Sequence, residues 1–284
     1  MEPESADHRN PLYHGLGPTS VAGGSRRPVP AGVGRERRVG AYARLDHSRA
    51  HRVGVPEVVL GEGKTVEHLL GIVTALLEDG EGGFVSRPTP AQLRALNRLP
   101  ASRGRFRVHA GGRLVRVPGP LPGSFRRGTV AIVAAGTSDV PVAEEARALL
   151  EELGLTVVHA YDVGVAGLHR LLRALRRLER RRPEVYLAFA GREGALPTVV
   201  AGLVHAPVVG VPTSVGYGRG GRGEAALSAM LQSCAPMAVV NIDAAVPAAL
   251  FAAQRFAVAA TARGGGRSRR TRRPGRSPPL TKAF

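Results

Sequence analysis

The sequence predicts an α/β protein whose main body is a doubly wound parallel sheet, and three observations lead there. From Thr129 onward, short apolar runs alternate with stretches of helical spacing. Each run is apolar throughout rather than at every second residue, as expected of strands buried on both faces. Polar or glycine-rich residues and then a helix follow each run, which is the rhythm of a parallel sheet covered by helices. Five such units imply a flavodoxin-like, three-layer αβα arrangement.

Taken in order, residues 1–39 are rich in Pro, Gly, Ser and Arg without sustained periodicity. Such a composition cannot bury a core and is expected to be a disordered tail. Residues 40–122 read as a small α+β region. Thr65 is placed to cap a helix opening at Val66, and Thr89-Pro90 starts another with Pro at its first position. Phe106–His109 and Leu114–Val117 flank Gly111-Gly112, a hairpin signal. Pro118 to Gly123 reads as a linker. The main domain, 123–256, then carries strands at 129–134, 156–160, 185–190, 208–211 and 238–242. The helices fall at 142–153, 168–181, 198–204, 224–231 and 248–256, with Glu144 and Glu145 in the first turn of the first and Gly154 after its end. Residues 257–284 are again tail-like and basic.

Composition narrows the function classes. No apolar run approaches the ~18 residues that a membrane helix needs. The start, Met1-Glu2-Pro3-Glu4, is acidic and unlike a secretory signal. A single cysteine, Cys234, excludes an internal disulfide and a cysteine-rich zinc site, so a reducing cytoplasm is the expected compartment. The net charge of +18 invites a nucleic-acid reading. Against it, Lys64 and Lys282 are the only lysines, and much of the arginine lies in the tail from Arg263 to Lys282, where no acid occurs. Such runs are usually solvated. No nucleic-acid or membrane partner is therefore expected.

In open parallel sheets, ligands bind beyond the carboxyl ends of the strands. Four segments fall there. Gly136-Thr137-Ser138-Asp139 follows the first strand and precedes a helix, where backbone N–H groups suit a phosphate or carboxylate; an ordinary helix cap is the competing reading. Gly191-Arg192-Glu193-Gly194 follows the third strand. Glu193 could orient a substrate or move a proton, or could simply pair with Arg192 or Arg222. Pro212-Thr213-Ser214-Val215-Gly216-Tyr217-Gly218 follows the fourth, and the stretch from Gly216 to Gly223, with Arg219 and Arg222, could wrap a phosphate or be a flexible loop. Asn241-Ile242-Asp243 ends the fifth. Cys234 comes between a helix and the fifth strand, and a lone cysteine is more often a small buried hydrophobe than a nucleophile. His47 and His51 lie four apart, on one face if helical, too few for a metal centre.

Together these segments resemble the carboxylase family of nickel-pincer cofactor synthesis, whose catalytic domain is related to aminoimidazole ribonucleotide carboxylase. The likeness spans about residues 41–256. It is carried by Leu45-Asp46-His47-Ser48-Arg49, Gly54-Val55-Pro56-Glu57-Val58, Gly61-Glu62-Gly63-Lys64-Thr65, Gly136–Ala146, Gly191–Pro197, Val211–Gly218, Ser233-Cys234-Ala235 and Val240–Asp243. Ala244-Ala245 stands where the family usually has Asn-Gly, and the turn after Gly218 is Arg-Gly-rich instead of Phe-Gly-Gly-like. The resemblance implies carboxylation, by CO2, of the pyridinium ring of nicotinic acid adenine dinucleotide, and cleavage of its phosphoanhydride. AMP and a dicarboxylated mononucleotide are the implied products. It implies Cys234 as the thiolate that adds to the ring, with Asp139 and Glu193 beside the ring. The implied substrate-binding residues are Gly136, Thr137, Ser138, Arg192, Gly194, Thr213, Ser214, Gly216, Tyr217, Gly218, Asn241 and Asp243. It also implies Mg2+, with no ligands assigned. An enzyme of the aminoimidazole ribonucleotide carboxylase type in purine synthesis is the alternative. The chain order puts Cys234 at the amino-terminal edge of the sheet, opposite the rim segments. A homo-oligomer of four or eight chains that supplies Cys234 to a neighbouring subunit's site is therefore expected.

Overall fold

The computed structural model describes residues 36–258, apart from 48, 101–103 and 122–124. Most of the two expected tails thus lies outside the described residues. At the amino-terminal boundary the expectation needs a correction: Glu36–Val39 is not part of a tail but a strand, β1, paired antiparallel with β2, Ala43–Asp46. Composition hides it because its anchor is distant in sequence. Arg37 donates to Glu78 and Asp79, each at 2.6 Å, across 41 and 42 residues.

The small region continues with α1 (Arg49–Val53), β3 (Val58–Leu60), α2 (Val66–Glu78), β4 (Gly83–Ser86), α3 (Pro90–Asn97), β5 (Arg107–His109) and β6 (Leu114–Val117). The four strands form a mixed sheet in the order β3-β4-β6-β5. Both helix starts follow the sequence. Thr65 accepts a hydrogen bond from the His68 N–H, and Thr89 and Gln92 form a reciprocal capping box with Pro90 in the first turn. Gln92, almost fully buried, also donates to the carbonyls of Gly61 and Lys64, fastening α3 to the loop after β3. His47 is not on a helix with His51. It lies in the turn after β2, between Asp79 at 3.1 Å and Glu81 at 3.0 Å, as a structural bridge to α2 and the turn that follows it.

The main sheet is parallel throughout: β7 (Thr129–Ala134), β8 (Thr156–Ala160), β9 (Val185–Ala190), β10 (Val208–Pro212) and β11 (Met237–Val239), in the order β11-β10-β9-β7-β8. This is the flavodoxin-like order. Its helices are α4 (Val140–Glu152), α5 (Leu168–Glu179), α6 (Ala195–Ala201), α7 (Glu224–Leu231) and α8 (Ala245–Gln254). The period-two alternation of strand side chains divides the core between the two faces. Val130, Ile132 and Ala134 pack with α4 and α8, while Ala131 and Val133 pack with α5, α6 and α7. α5 follows the expected amphipathic pattern, with Leu171, Ala174, Leu175 and Leu178 buried and its arginines outward.

Several boundaries move. β11 ends at Val239, so Asn241 and Ile242 belong to the loop beyond it. α8 begins at Ala245, three residues early. α6 begins at Ala195 rather than near Thr198. Gly194, at φ 68°, turns the chain into α6, and a Cβ there would meet the Ala226 carbonyl oxygen at 2.6 Å. Pro197 falls in the first turn, where a missing N–H costs nothing.

α4 joins the two regions. Its Ala143, Ala146 and Leu149 face the large sheet, while Glu145 and Glu152, seven residues apart, face the small one. Glu145 accepts from Ser86 Oγ at 2.5 Å and pairs with Arg113 at 3.0 Å. Glu152 pairs with Arg107, with His109 at 2.9 Å and with Arg116 at 3.6 Å.

Candidate active site at the carboxyl rim of the parallel sheet

The rim segments after β7, β9, β10 and β11 meet as the chain order requires, and hydrogen bonds fasten three of them together. Asp139 is the centre. One carboxylate oxygen accepts the Gly136 N–H at 2.8 Å, and the other accepts Thr213 Oγ1 at 2.5 Å. Asp139 is therefore not a conventional cap of α4; it closes its own loop and ties it to the loop after β10. The Gly136 N–H, offered by sequence reasoning to an anion, is already taken. Asp139 is 5% exposed, and burial pushes its carboxyl above the usual range, with the charges of Glu193 and Asp243 adding to the rise. The Thr213 and Gly136 hydrogen bonds act in the opposite direction.

Asp243 fastens the next pair of loops. Its Oδ1 accepts the Ser214 N–H at 2.9 Å. It holds a left-handed φ of 55°, rare for a non-glycine residue and a form of strain found at ligand sites. Asn241 turns its Oδ1 to the Ile242 N–H at 2.8 Å. At Gly191 the loops after β9 and β10 pass close together: a Cβ there would lie 2.2 Å from Thr213 Oγ1 and 2.3 Å from the Val215 carbonyl oxygen.

Around this fastened floor stand exposed groups. Thr137, Ser138, Arg192, Glu193, Ser214, Gly216, Tyr217 and Gly218 are open to solvent. Glu193 makes no ion pair with Arg192 or Arg222. Arg192 instead stacks over the Tyr217 ring at 4.4 Å, and that ring is 74% exposed. The rim thus presents one buried carboxyl with a raised pKa, one exposed carboxylate, and an arginine–tyrosine pair able to flank a planar group. Among the described residues no group of three or more His, Cys, Asp or Glu side chains could hold a metal ion. Mg2+ is commonly held by one or two carboxylates together with substrate phosphates and waters, and so does not require such a group.

Cys234 is free and exposed and does not join this cluster. It precedes β11, whose Met237 is level with Val208, the first residue of β10, whereas the rim follows Pro212 at the other end. At ~3.3 Å per residue, the four steps from Val208 to Pro212 alone separate the two edges by about 13 Å.

Sequence reasoning missed one feature. A cavity of 720 Å3 lies between the small region and α8; its wall includes Arg49, Ser86, Arg87, Glu145, Asn241 and Asp243. The available signal was the seven-residue spacing of Glu145 and Glu152, which marks a second contact face on α4. It does not say what α4 would meet. No helix among the described residues is long and apolar enough to cross a membrane.

The AIR carboxylase family matches residues 129–264, and the LarB/PurE-like N-terminal domain matches residues 37–117. An uncharacterized protein of Methanocaldococcus jannaschii is 37% identical over 212 residues, covering 74% of this chain and 82% of that protein. The N5-carboxyaminoimidazole ribonucleotide mutase of Pyrococcus horikoshii is 35% identical over 129 residues, covering 43% of this chain and 69% of the mutase. The crystal structure of Treponema denticola PurE superposes with a TM-score of 0.37 at 21% identity, covering 46% of this chain and 88% of that one. The fold assignment rests on the strand order, not on that loose superposition.

Proposed function

The chain belongs to the PurE/LarB superfamily of AIR carboxylase-like enzymes, and on that premise we propose that it carboxylates the pyridinium ring of nicotinic acid adenine dinucleotide. The observation that carries the choice within the superfamily is the second domain. The match to a LarB/PurE-like N-terminal domain covers residues 37–117, a region outside the AIR carboxylase match.

The chemistry suits the residues. A pyridinium ring is an electrophile and cannot itself attack CO2. Addition of the Cys234 thiolate forms a C–S bond and leaves an enamine-like dihydropyridine, whose carbon attacks CO2. Loss of the proton from the newly carboxylated carbon and departure of the thiolate restore the aromatic ring, now with two carboxylates. Asp139, with its raised pKa, and exposed Glu193 are the groups assigned to hold or receive that proton. Arg192 and Tyr217 would flank the ring. Hydrolysis of the phosphoanhydride then releases AMP and the dicarboxylated mononucleotide.

The position of Cys234 at the opposite edge from the rim supports a homo-oligomer, of four or eight chains, in which it serves a neighbouring subunit. The deciding assay incubates the protein with nicotinic acid adenine dinucleotide, bicarbonate and Mg2+ and seeks AMP plus the dicarboxylated mononucleotide by mass spectrometry. Cys234→Ser should abolish product with the fold intact, since a hydroxyl is a far weaker nucleophile at neutral pH. Mixing Cys234→Ser with Glu193→Gln chains should restore part of the activity; a mixed oligomer as inactive as either parent refutes sharing. The competing reading, an aminoimidazole ribonucleotide carboxylase-type enzyme, draws on the mutase match over the catalytic half. Turnover of aminoimidazole ribonucleotide with no dinucleotide product would establish it instead.

A further inference from the structure

Composition points to the terminal tail as the seat of the excess positive charge, but the fold gathers a second share of it along α5. Between Leu168 and Arg182 the only acid is Glu179, and its carboxylate accepts a hydrogen bond from the Tyr186 hydroxyl at 2.6 Å. Arg170, Arg173, Arg177 and Arg180 follow one another at three- and four-residue steps, so they stand in a row on one face. Arg176 and Arg181 flank the row, and all six side chains are exposed. The helix dipole favours cations in a last turn. That accounts for Arg176 and Arg177 but not for a row that begins in the first turn. Local partners engage two of the six: Arg170 pairs with Asp162 at 2.6 Å, and Arg177 donates to the His159 carbonyl at 3.4 Å. Among the described residues no ion pair or hydrogen bond engages Arg173, Arg176, Arg180 or Arg181.

The row has a shape as well as a charge. β8 is an edge strand of the parallel sheet. Two hollows, of 600 and 540 Å3, lie between β8 with the loop after it and α5, and they share Arg177 and Arg180, so they form one groove. The ten residues from Arg170 to Arg180 give it a length of about 15 Å, at 1.5 Å per residue. Beside the arginines lie half-buried Val157 and Val158 and the exposed His159, whose ring stacks on Tyr161 at 4.7 Å between centroids. A single phosphate needs donors that converge on a point. A row of guanidinium groups beside an apolar and aromatic strip suits a chain in which phosphates alternate with planar bases.

We propose that the groove between α5 and the edge of β8 binds a single strand of nucleic acid, with its phosphates on the α5 arginines and a base against the His159–Tyr161 stack. No rim residue lines the groove, so the site is independent of the dinucleotide reading. A duplex keeps its bases stacked and paired with one another, out of reach of His159. An inorganic polyphosphate chain would meet the arginines alone. The four unengaged arginines set the salt dependence. Neutralising four phosphates of a single strand gives a slope of about −3 in log K against log salt.

The test follows the fluorescence anisotropy of a labelled oligouridylate of about 12 nucleotides as full-length protein is added, between about 50 and 200 mM salt. A variant carrying Arg173→Gln, Arg176→Gln and Arg180→Gln should melt like the wild type, because these side chains are exposed and unpaired. It should bind about tenfold more weakly or worse at the lowest salt, with a salt slope shallower by about 2. His159→Ala should weaken oligouridylate binding about fivefold or more and leave the binding of inorganic polyphosphate unchanged. A tail variant, with Arg269, Arg270, Arg272 and Arg273 each replaced by Gln, should lose less than the α5 variant. No binding by the wild type up to about 100 µM, or an α5 variant that binds like the wild type, overturns the proposal. So does a tail variant that loses more than the α5 variant, a duplex of the same length bound as tightly as the single strand, or a His159→Ala protein whose oligouridylate binding is unchanged.

Discussion

Replacing Thr213 by Val tests whether the buried hydrogen bond to Asp139 holds the rim together. Thr213 is fully buried and donates Oγ1 to Asp139 at 2.5 Å. Val has nearly the same shape, so the change removes a donor without opening a cavity. A hydrogen bond to an ionised group contributes about 1.5–3 kcal/mol net, and a neutral one about 0.5–1.5 kcal/mol. The cost of Thr213→Val should therefore depend on pH. Burial raises the folded-state pKa of Asp139, so the folded protein holds this proton more tightly than the unfolded chain. Stability from this group is fully present below the unfolded value, near 4, and is lost as pH rises through the folded value. The Thr213 bond favours the charged form and softens that loss. Without it the folded pKa rises further and the loss deepens. Urea unfolding should show Thr213→Val costing about 1.5–3 kcal/mol near pH 8 and about 1 kcal/mol less near pH 4. In an Asp139→Asn background the cost should fall to the neutral range and lose its pH dependence. An equal cost at both pH values, or one below about 0.5 kcal/mol at pH 8, would refute the reasoning.

Other substitutions probe the packing that positions the rim. Gly191→Ala should cost about 1–3 kcal/mol by overpacking, because its Cβ would overlap Thr213 Oγ1 and the Val215 carbonyl oxygen; an unchanged melting temperature would show that these loops do not cross so closely. Phe256→Ala should cost about 3–5 kcal/mol in denaturant unfolding, since the ring is fully buried and lies beneath Arg126 at 4.8 Å. A loss below about 1 kcal/mol would mean the ring is not sealed. Ser86→Ala should cost about 1.5–3 kcal/mol at neutral pH, because it strips a donor from Glu145, whose carboxyl burial already raises. An effect within ±0.5 kcal/mol, typical of a surface position, would refute the contact between α4 and the small sheet.

The fold was legible because its signals are local. Val185–Ala190 reads as a strand buried on both faces from six apolar residues alone, and all six are buried. Thr65 and Thr89 announce their helices through side chains that reach only three residues ahead. The order of strands and loops was enough to bring residues 136–139, 191–194, 212–218 and 241–243 to one edge of the sheet, and to put Cys234 at the other. The signals failed where the cause was remote. β1 depends on Arg37 reaching acids of α2 and the residue after it, about forty positions away. Val240 to Ile242 look like strand from their neighbours, and β10 runs on beside them to Pro212, yet β11 ends at Val239 and Asn241 turns its Oδ1 to the Ile242 N–H.

The sequence by itself determined the doubly wound architecture, the rim and the isolation of Cys234, because hydrophobic period and chain direction are properties of consecutive residues. Only the tertiary structure decided what the polar groups of the rim do. Asp139 and Glu193 are both loop carboxylates in the sequence. One is buried against Thr213 and the Gly136 N–H, and burial raises its carboxyl above the usual range, while the other stands in solvent. Arg192 is set beside Glu193 in the chain, yet it leaves the carboxylate for the Tyr217 ring. Arg49, Arg87 and Asp243 are spread over almost two hundred residues and share a cavity. Burial, hydrogen-bond partners and cavities depend on which surfaces meet, and that is settled by packing between elements rather than by the pattern within any one of them.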